Sequence, residues 1–188
     1  MTANVSEQPS LASGSPRWFA VRTKRRCEVL AQEGLQRRAW SCCLPVSQSP
    51  RQADPSLLLG SLLFPGFLFC RMCESQRLSA LAVPGVVQVL GGEKCSAAEQ
   101  AEVDILSAIL SADVVVEPVA GTPPGRPVRF EDGLLRGASG VVMEVRGQSR
   151  LILPVQLIAR WYAVDLDQLR LRPAAHPAAQ VARHREVA

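Results

Sequence analysis

The sequence predicts an α+β protein: an antiparallel sheet flanked by helices, followed by a small β-barrel. Three observations carry that reading. Residues 17–111 alternate strand-like and helix-like segments in the order β-α-β-β-α-β-α, a pattern of layered α+β architecture. A Pro/Gly-rich stretch, AGTPPGRP, then changes the texture. Beyond it helical periodicity stops, and short alternating strands are punctuated by Gly133, Gly137, Gly140 and Gly147, as in small barrels.

The elements follow in order. Trp18, Phe19, Ala20, Val21 and Arg22 have strand composition. Residues 27–38 predict a helix with Leu30, Ala31, Gly34 and Leu35 on one stripe, Gly34 weakening it by about 1 kcal/mol relative to Ala. Residues 42–45 predict a short strand and 46–56 a loop. The Pro65-Gly66 turn leads into a strand at 67–72. Ser75 is positioned to cap a short helix over 76–82, and Pro84-Gly85 leads into a strand at 86–90. Ser96-Ala97-Ala98-Glu99 has the form of a capping box and opens a helix to about residue 110, with Val103, Leu106, Ile109 and Leu110 at helical spacing. In the second half, 128–130, 140–145, 150–157 and 161–166 predict strands. The organisation expected is a disordered lead at 1–16, an α/β domain at 17–111, a linker at 112–122, a barrel at 123–172 and a disordered tail at 173–188.

Composition narrows the function. The chain has 188 residues, 47% hydrophobic and 20% charged, with 21 Lys+Arg against 17 Asp+Glu and a formal net charge of +4. Those are globular values, and collagen-like, coiled-coil or wholly disordered classes do not fit. Residues 17–111 hold eleven Lys+Arg against eight acids, while 112–172 hold eight Arg against seven acids. The near-neutral second half favours a protein partner over RNA. The N-terminus lacks the basic and apolar regions of a secretory signal, which predicts a cytoplasmic protein. The uncharged run 56–70 is too short for a spanning helix, which needs about 20 residues, and no membrane role is expected.

The six cysteines are Cys27, Cys42, Cys43, Cys70, Cys73 and Cys95. They are expected to be reduced thiols serving as small apolar side chains. Cys70 and Cys73, three apart on a strand, point to opposite faces, so neither metal nor cofactor is expected. The only histidines, His176 and His184, lie in the tail. A cysteine nucleophile therefore lacks a basic partner in the ordered region, and no enzymatic activity is expected.

Four motifs resemble the NusG family of bacterial transcription elongation factors. They are Trp18-Phe19-Ala20-Val21; Leu63-Phe64-Pro65-Gly66-Phe67-Leu68-Phe69; Pro84-Gly85-Val86-Val87-Gln88-Val89-Leu90-Gly91-Gly92; and a segment at 125–142, GRPVRFEDGLLRGASGVV, similar to a KOW motif. The resemblance covers about residues 17–172. It implies an NGN domain, a linker and an SH3-like KOW barrel, in a monomer. The texture of Arg22, Thr23, Lys24 and Arg25 is similar to that of specialised NusG paralogues.

The resemblance also implies partners. An apolar NGN face would grip the clamp helices of RNA polymerase's largest subunit through Phe64, Phe67, Phe69, Val103 and Leu106. Arg22 joins them, where relatives often place an aromatic. Phe67 and Phe69 share a strand face, so core packing and partner contact both stay open for them. Lys24, Arg25 and Arg26 would meet the phosphates of the non-template DNA strand, against the alternative of a solvated basic loop. Arg37 and Arg38 suit the helix C-terminus instead. The barrel would recruit a second protein, Rho or a small-subunit ribosomal protein, through Leu134, Leu135, Ala138, Ile158 and Trp161; packing on the barrel is the alternative for Trp161. With no helical pattern in the second half, that barrel is expected to be constitutive. The function implied is clamp binding that suppresses pausing or termination. The alternative is a ribosome- or RNA-associated KOW protein.

Overall fold

A computed structural model describes residues 14–47, 61–112, 114–121, 123–131, 133–145, 147–171 and 185–186. The lead at 1–13, most of the 46–56 loop and nearly all of the tail lie outside them.

The first sheet has the order β2-β3-β1-β4, every pairing antiparallel. Its strands are β1 (Arg17–Thr23), β2 (Ser41–Cys43), β3 (Phe67–Met72) and β4 (Val86–Gly91). Alternation along β1 sends Phe19 and Val21 to one face and Trp18 and Ala20 to the other. On β3, Leu68 and Cys70 join the first face and Phe69 the second.

Helices α1 (Glu28–Gln36) and α2 (Arg77–Leu81) cover the first face. Ala31 and Leu35 of α1 are fully buried there, but Leu30, expected on the same stripe, is 52% exposed. The stripe is narrower than the sequence implies because α1 meets the sheet along one edge. Gly34 has a packing reason: a Cβ there would lie 2.6 Å from Val83 Cγ1. The entry to α2 also differs from expectation. A single 3-10 turn, Glu74–Gln76, precedes it. It is closed by the Cys73 N–H donating to Gln76 Oε1 at 2.8 Å, not by Ser75. Arg77 then ties α2 to β4, donating to the Val89 carbonyl at 2.7 Å and to Glu74 at 2.8 Å.

Helix α3 (Ala97–Ser111) covers the second face. The expected capping box is present: Ser96 Oγ accepts from the Glu99 N–H at 3.2 Å, and Glu99 Oε2 accepts from the Ser96 N–H at 2.8 Å. Gln100 clasps both main-chain polar groups of Trp18, and Trp18 Nε1 donates to Asp104 Oδ1 at 2.7 Å. These bonds fix α3 to β1 independently of apolar packing.

The second sheet has the order β10-β6-β7-β8-β9-β5 and is antiparallel throughout. It comprises β5 (Val116–Val119), β6 (Arg126–Arg129), β7 (Ser139–Val145), β8 (Gln148–Val155), β9 (Arg160–Asp165) and β10 (Arg185–Glu186). A short helix, α4 (Leu166–Leu171), follows β9. Two strands depart from expectation. β5 lies inside the stretch 112–122 read as a linker; Pro118 looks like a linker residue but is compatible with an edge strand. β10 lies in the stretch read as a disordered tail, where the open edge of β6 pairs with two residues of extended chain. Gly133 and Gly137 have positive φ, as expected for turns. Gly140 does not: it lies in β7, where a Cβ would sit 2.5 Å from the Ile152 carbonyl oxygen.

Candidate functional site

The basic residues sit on a corner that three loops assemble. Where β1 ends, the Thr23 N–H donates to the Gly66 carbonyl at 2.9 Å and the Lys24 N–H to the Gly85 carbonyl at 2.8 Å. The turn closes with the Cys27 N–H on the Lys24 carbonyl at 3.1 Å. Both Pro-Gly turns are thus stitched to the end of β1. Glu28, 2% exposed, accepts the Gly66 N–H at 2.9 Å and pins the same corner from α1. On this base Lys24, Arg25 and Arg26 are all exposed and make no ion pair among the described residues. Arg26 holds φ at 63°, a left-handed conformation uncommon for a long side chain. Arg22 is exposed beside them, opposite half-buried Phe67 on the neighbouring strand.

The apolar residues expected at a partner surface converge on the second face of the first sheet. Phe64, Phe69, Val103 and Leu106 are buried in one cluster, and Phe67 packs against it. The same cluster contains Leu135 and Ala138 from the second sheet's side, with Ile158 packed against it. Two sets of residues assigned to different partners therefore meet each other. Ile105 completes the contact: it widens the apolar face of α3 so that the helix buries itself against both sheets.

Polar contacts cross this seam. Glu102 of α3 accepts from the Gln156 N–H at 2.7 Å and from Gln156 Nε2 at 2.9 Å. Burial holds its carboxyl above the ordinary range. Beside it lies a cavity of about 110 Å³ lined by Glu102, Ile105, Ala138, Leu153, Gln156 and Tyr162. The Tyr162 hydroxyl is buried without a hydrogen-bond partner among the described residues, and burial pushes its pKa up. Trp161 stands apart from the cluster, half-buried and cross-strand from Pro154 and Val119. The Leu134 side chain lies outside the described residues.

The sequence model described as transcription termination factor nusG matches residues 16–107. Residues 16–107 are thus a NusG-family segment. The NusG match runs from β1 into α3 and so contains the basic corner and one half of the apolar seam. Among solved structures, one on domain interaction in Thermotoga maritima NusG is 17% identical, covers 79% of this chain and 92% of that one, and superposes with a TM-score of 0.49. The MjSpt4:Spt5 complex in conformation B is 14% identical, covers 90% of this chain and 99% of that one, with a TM-score of 0.28. No curated protein matches the sequence.

Among the described residues, no group of three or more His, Cys, Asp or Glu is placed to hold a metal, and no helix is long and apolar enough to cross a membrane. Sequence reasoning missed Glu102, Gln156 and Ile105. The first two look like ordinary solvated residues until the second sheet is set against α3. Ile105 falls outside the stripe that a helix with a single covered face requires.

Proposed function

We propose that this chain is a non-enzymatic transcription elongation factor. The face carrying Phe64, Phe67, Phe69, Val103 and Leu106, with Arg22 at its rim, binds the clamp helices of RNA polymerase's largest subunit. Buried aromatic and aliphatic anchors dominate such interfaces. The observation that carries the reading is convergence: residues from β3, its preceding turn and α3 gather on one face of a NusG-family fold, with the basic corner at its end. Lys24, Arg25 and Arg26 meet the non-template strand through its phosphates. Bound in this way, the factor keeps the clamp closed and suppresses pausing or termination.

The second sheet is read as the KOW barrel, with Leu134, Leu135, Ala138, Ile158 and Trp161 offered to Rho or a small-subunit ribosomal protein. In the present arrangement most of these residues are committed to the seam, as are the polymerase-facing ones. The clamp reading therefore requires the two sheets to separate before either partner binds.

The test is co-purification of the full chain with RNA polymerase, followed by transcription over pause and terminator templates. The proposal expects binding that weakens when Phe67 is replaced by Ala, together with a changed pause or read-through pattern. A chain that bound structured RNA tightly while ignoring polymerase would instead be the ribosome- or RNA-associated KOW protein.

A further inference from the structure

β2 and β3 pair with Cys42 directly opposite Cys70. Their sulfur atoms are 3.4 Å apart. Opposed residues of an antiparallel pair have Cα atoms about 4.5–5.5 Å apart. That falls within the roughly 4.4–6.8 Å a disulfide spans, so the opposed pair lies within disulfide reach. The two environments differ in a useful way. Cys42 is only half-buried at the sheet edge, whereas Cys70 is fully buried under α1 and α2. The hydrogen bond between them holds the Cys42 thiol below its ordinary pKa, while the same bond and burial push Cys70 up. Cys43, next in the chain, packs in the opposite cluster beside α3, and burial raises its pKa to about 11. Cys73 has its sulfur on the Gly14 carbonyl at 3.2 Å.

We propose that Cys42 and Cys70 form an oxidative modification site, a cross-strand thiol pair that a peroxide converts to a disulfide. The Cys42 thiolate attacks one oxygen of hydrogen peroxide. The O–O bond breaks, the departing hydroxide takes a proton and leaves as water, and Cys42 becomes a sulfenic acid. The Cys70 sulfur then attacks the Cys42 sulfur. The S–O bond breaks, and the oxygen leaves as a second water with the proton that Cys70 gives up. Two thiols and one peroxide yield one disulfide and two waters; the sulfur pair loses two electrons and the peroxide gains them. The link would close residues 42–70 into a loop holding Phe64, Pro65, Gly66 and Phe67. It would also clamp the short edge strand β2 to β3.

The sequence makes the pair easy to read. Tryptic cleavage after Arg38, Arg51 and Arg71 places Cys42 with Cys43 in the peptide 39–51, Cys70 in 52–71 and Cys73 in 72–77. The reduced full chain is treated with hydrogen peroxide, its free thiols are blocked, and the digest is mapped by mass spectrometry. The proposal expects a dithiothreitol-reversible link between 39–51 and 52–71, kept in Cys43→Ser and lost in Cys42→Ser. The half-buried position of Cys42 spares the core, and circular dichroism of the Cys42→Ser chain checks its fold. A link that survives Cys42→Ser, a link from Cys70 to another cysteine, or a Cys42 left unoxidised or stopped at the sulfenic or sulfinic acid would overturn it.

Discussion

The Glu102 carboxylate of α3 grips Gln156 twice, accepting its backbone N–H at 2.7 Å and its Nε2 at 2.9 Å. No other carboxylate among the described residues joins the NusG-family segment to the second sheet by two hydrogen bonds. Glu102→Ala leaves the Gln156 N–H without its acceptor. The expected outcome is faster amide exchange over residues 153–158 and greater accessibility of Ile105, measured by hydrogen–deuterium exchange. Unchanged exchange there would show that apolar packing alone holds the seam.

The same carboxyl gives the seam a pH dependence. Burial raises the Glu102 pKa above the ordinary carboxylate range, even against the two hydrogen bonds that lower it. A carboxyl with a raised pKa binds more protons in the docked state than when released. Its contribution therefore favours docking below the ordinary carboxylate pKa and is lost as pH rises through the raised value. Exchange at the seam should slow as pH falls from neutral toward that range, once corrected for intrinsic exchange rates. Glu102→Gln should remove that part of the pH response.

The N-terminal architecture was legible because each of its elements announces itself locally. The Ser96–Glu99 box, the alternation of β1 and the two Pro-Gly turns all rest on neighbours a few residues apart. What was not legible depends on distant packing. Leu30 looks like core until α1 is seen meeting the sheet along one edge. Ile105 looks peripheral until a second sheet covers α3. β5 looks like linker because Pro118 obscures a short strand. At the candidate site, the individual residues could be named from their motifs, but their mutual burial could not, since it arises from docking two sheets separated by a change of texture.

Gly140 offers a sharp test of strand packing in the second sheet. Its Cβ position lies 2.5 Å from the Ile152 carbonyl oxygen and 2.9 Å from Leu153 Cδ2. Backbone oxygen cannot swing aside as a side chain can. Gly140→Ala should force β7 and β8 apart and cost about 1–3 kcal/mol, the usual range for overpacking. Chemical denaturation checks it. Gly137→Ala differs in kind, because the space there is open and the strain comes only from φ of 84°.

Glu28 should matter more for the basic corner than its distance from any partner implies. Its Oε1 accepts the Gly66 N–H, while Oε2 is buried without a partner among the described residues. Glu28→Ala strands a half-buried donor and should cost about 1 kcal/mol. Glu28→Gln keeps an acceptor oxygen and removes a buried charge, so it should cost less. Denaturant midpoints for the two variants, measured side by side, decide whether the hydrogen bond or the charge governs the site.

The basic corner separates charge from conformation at Arg26. If Lys24, Arg25 and Arg26 each neutralise one phosphate of a single strand, replacing all three with Ala should flatten the plot of log affinity against log salt by about 2. Arg26→Gly removes one charge while relieving a φ of 63° that glycine adopts freely. It should therefore leave stability unchanged or slightly raised and reduce the salt slope by about 0.7. A loss of stability without a change in slope would mean that Arg26 is held left-handed for packing and does not touch the nucleic acid. The measurement is fluorescence anisotropy of a labelled single strand across a salt series, with thermal denaturation of the same samples.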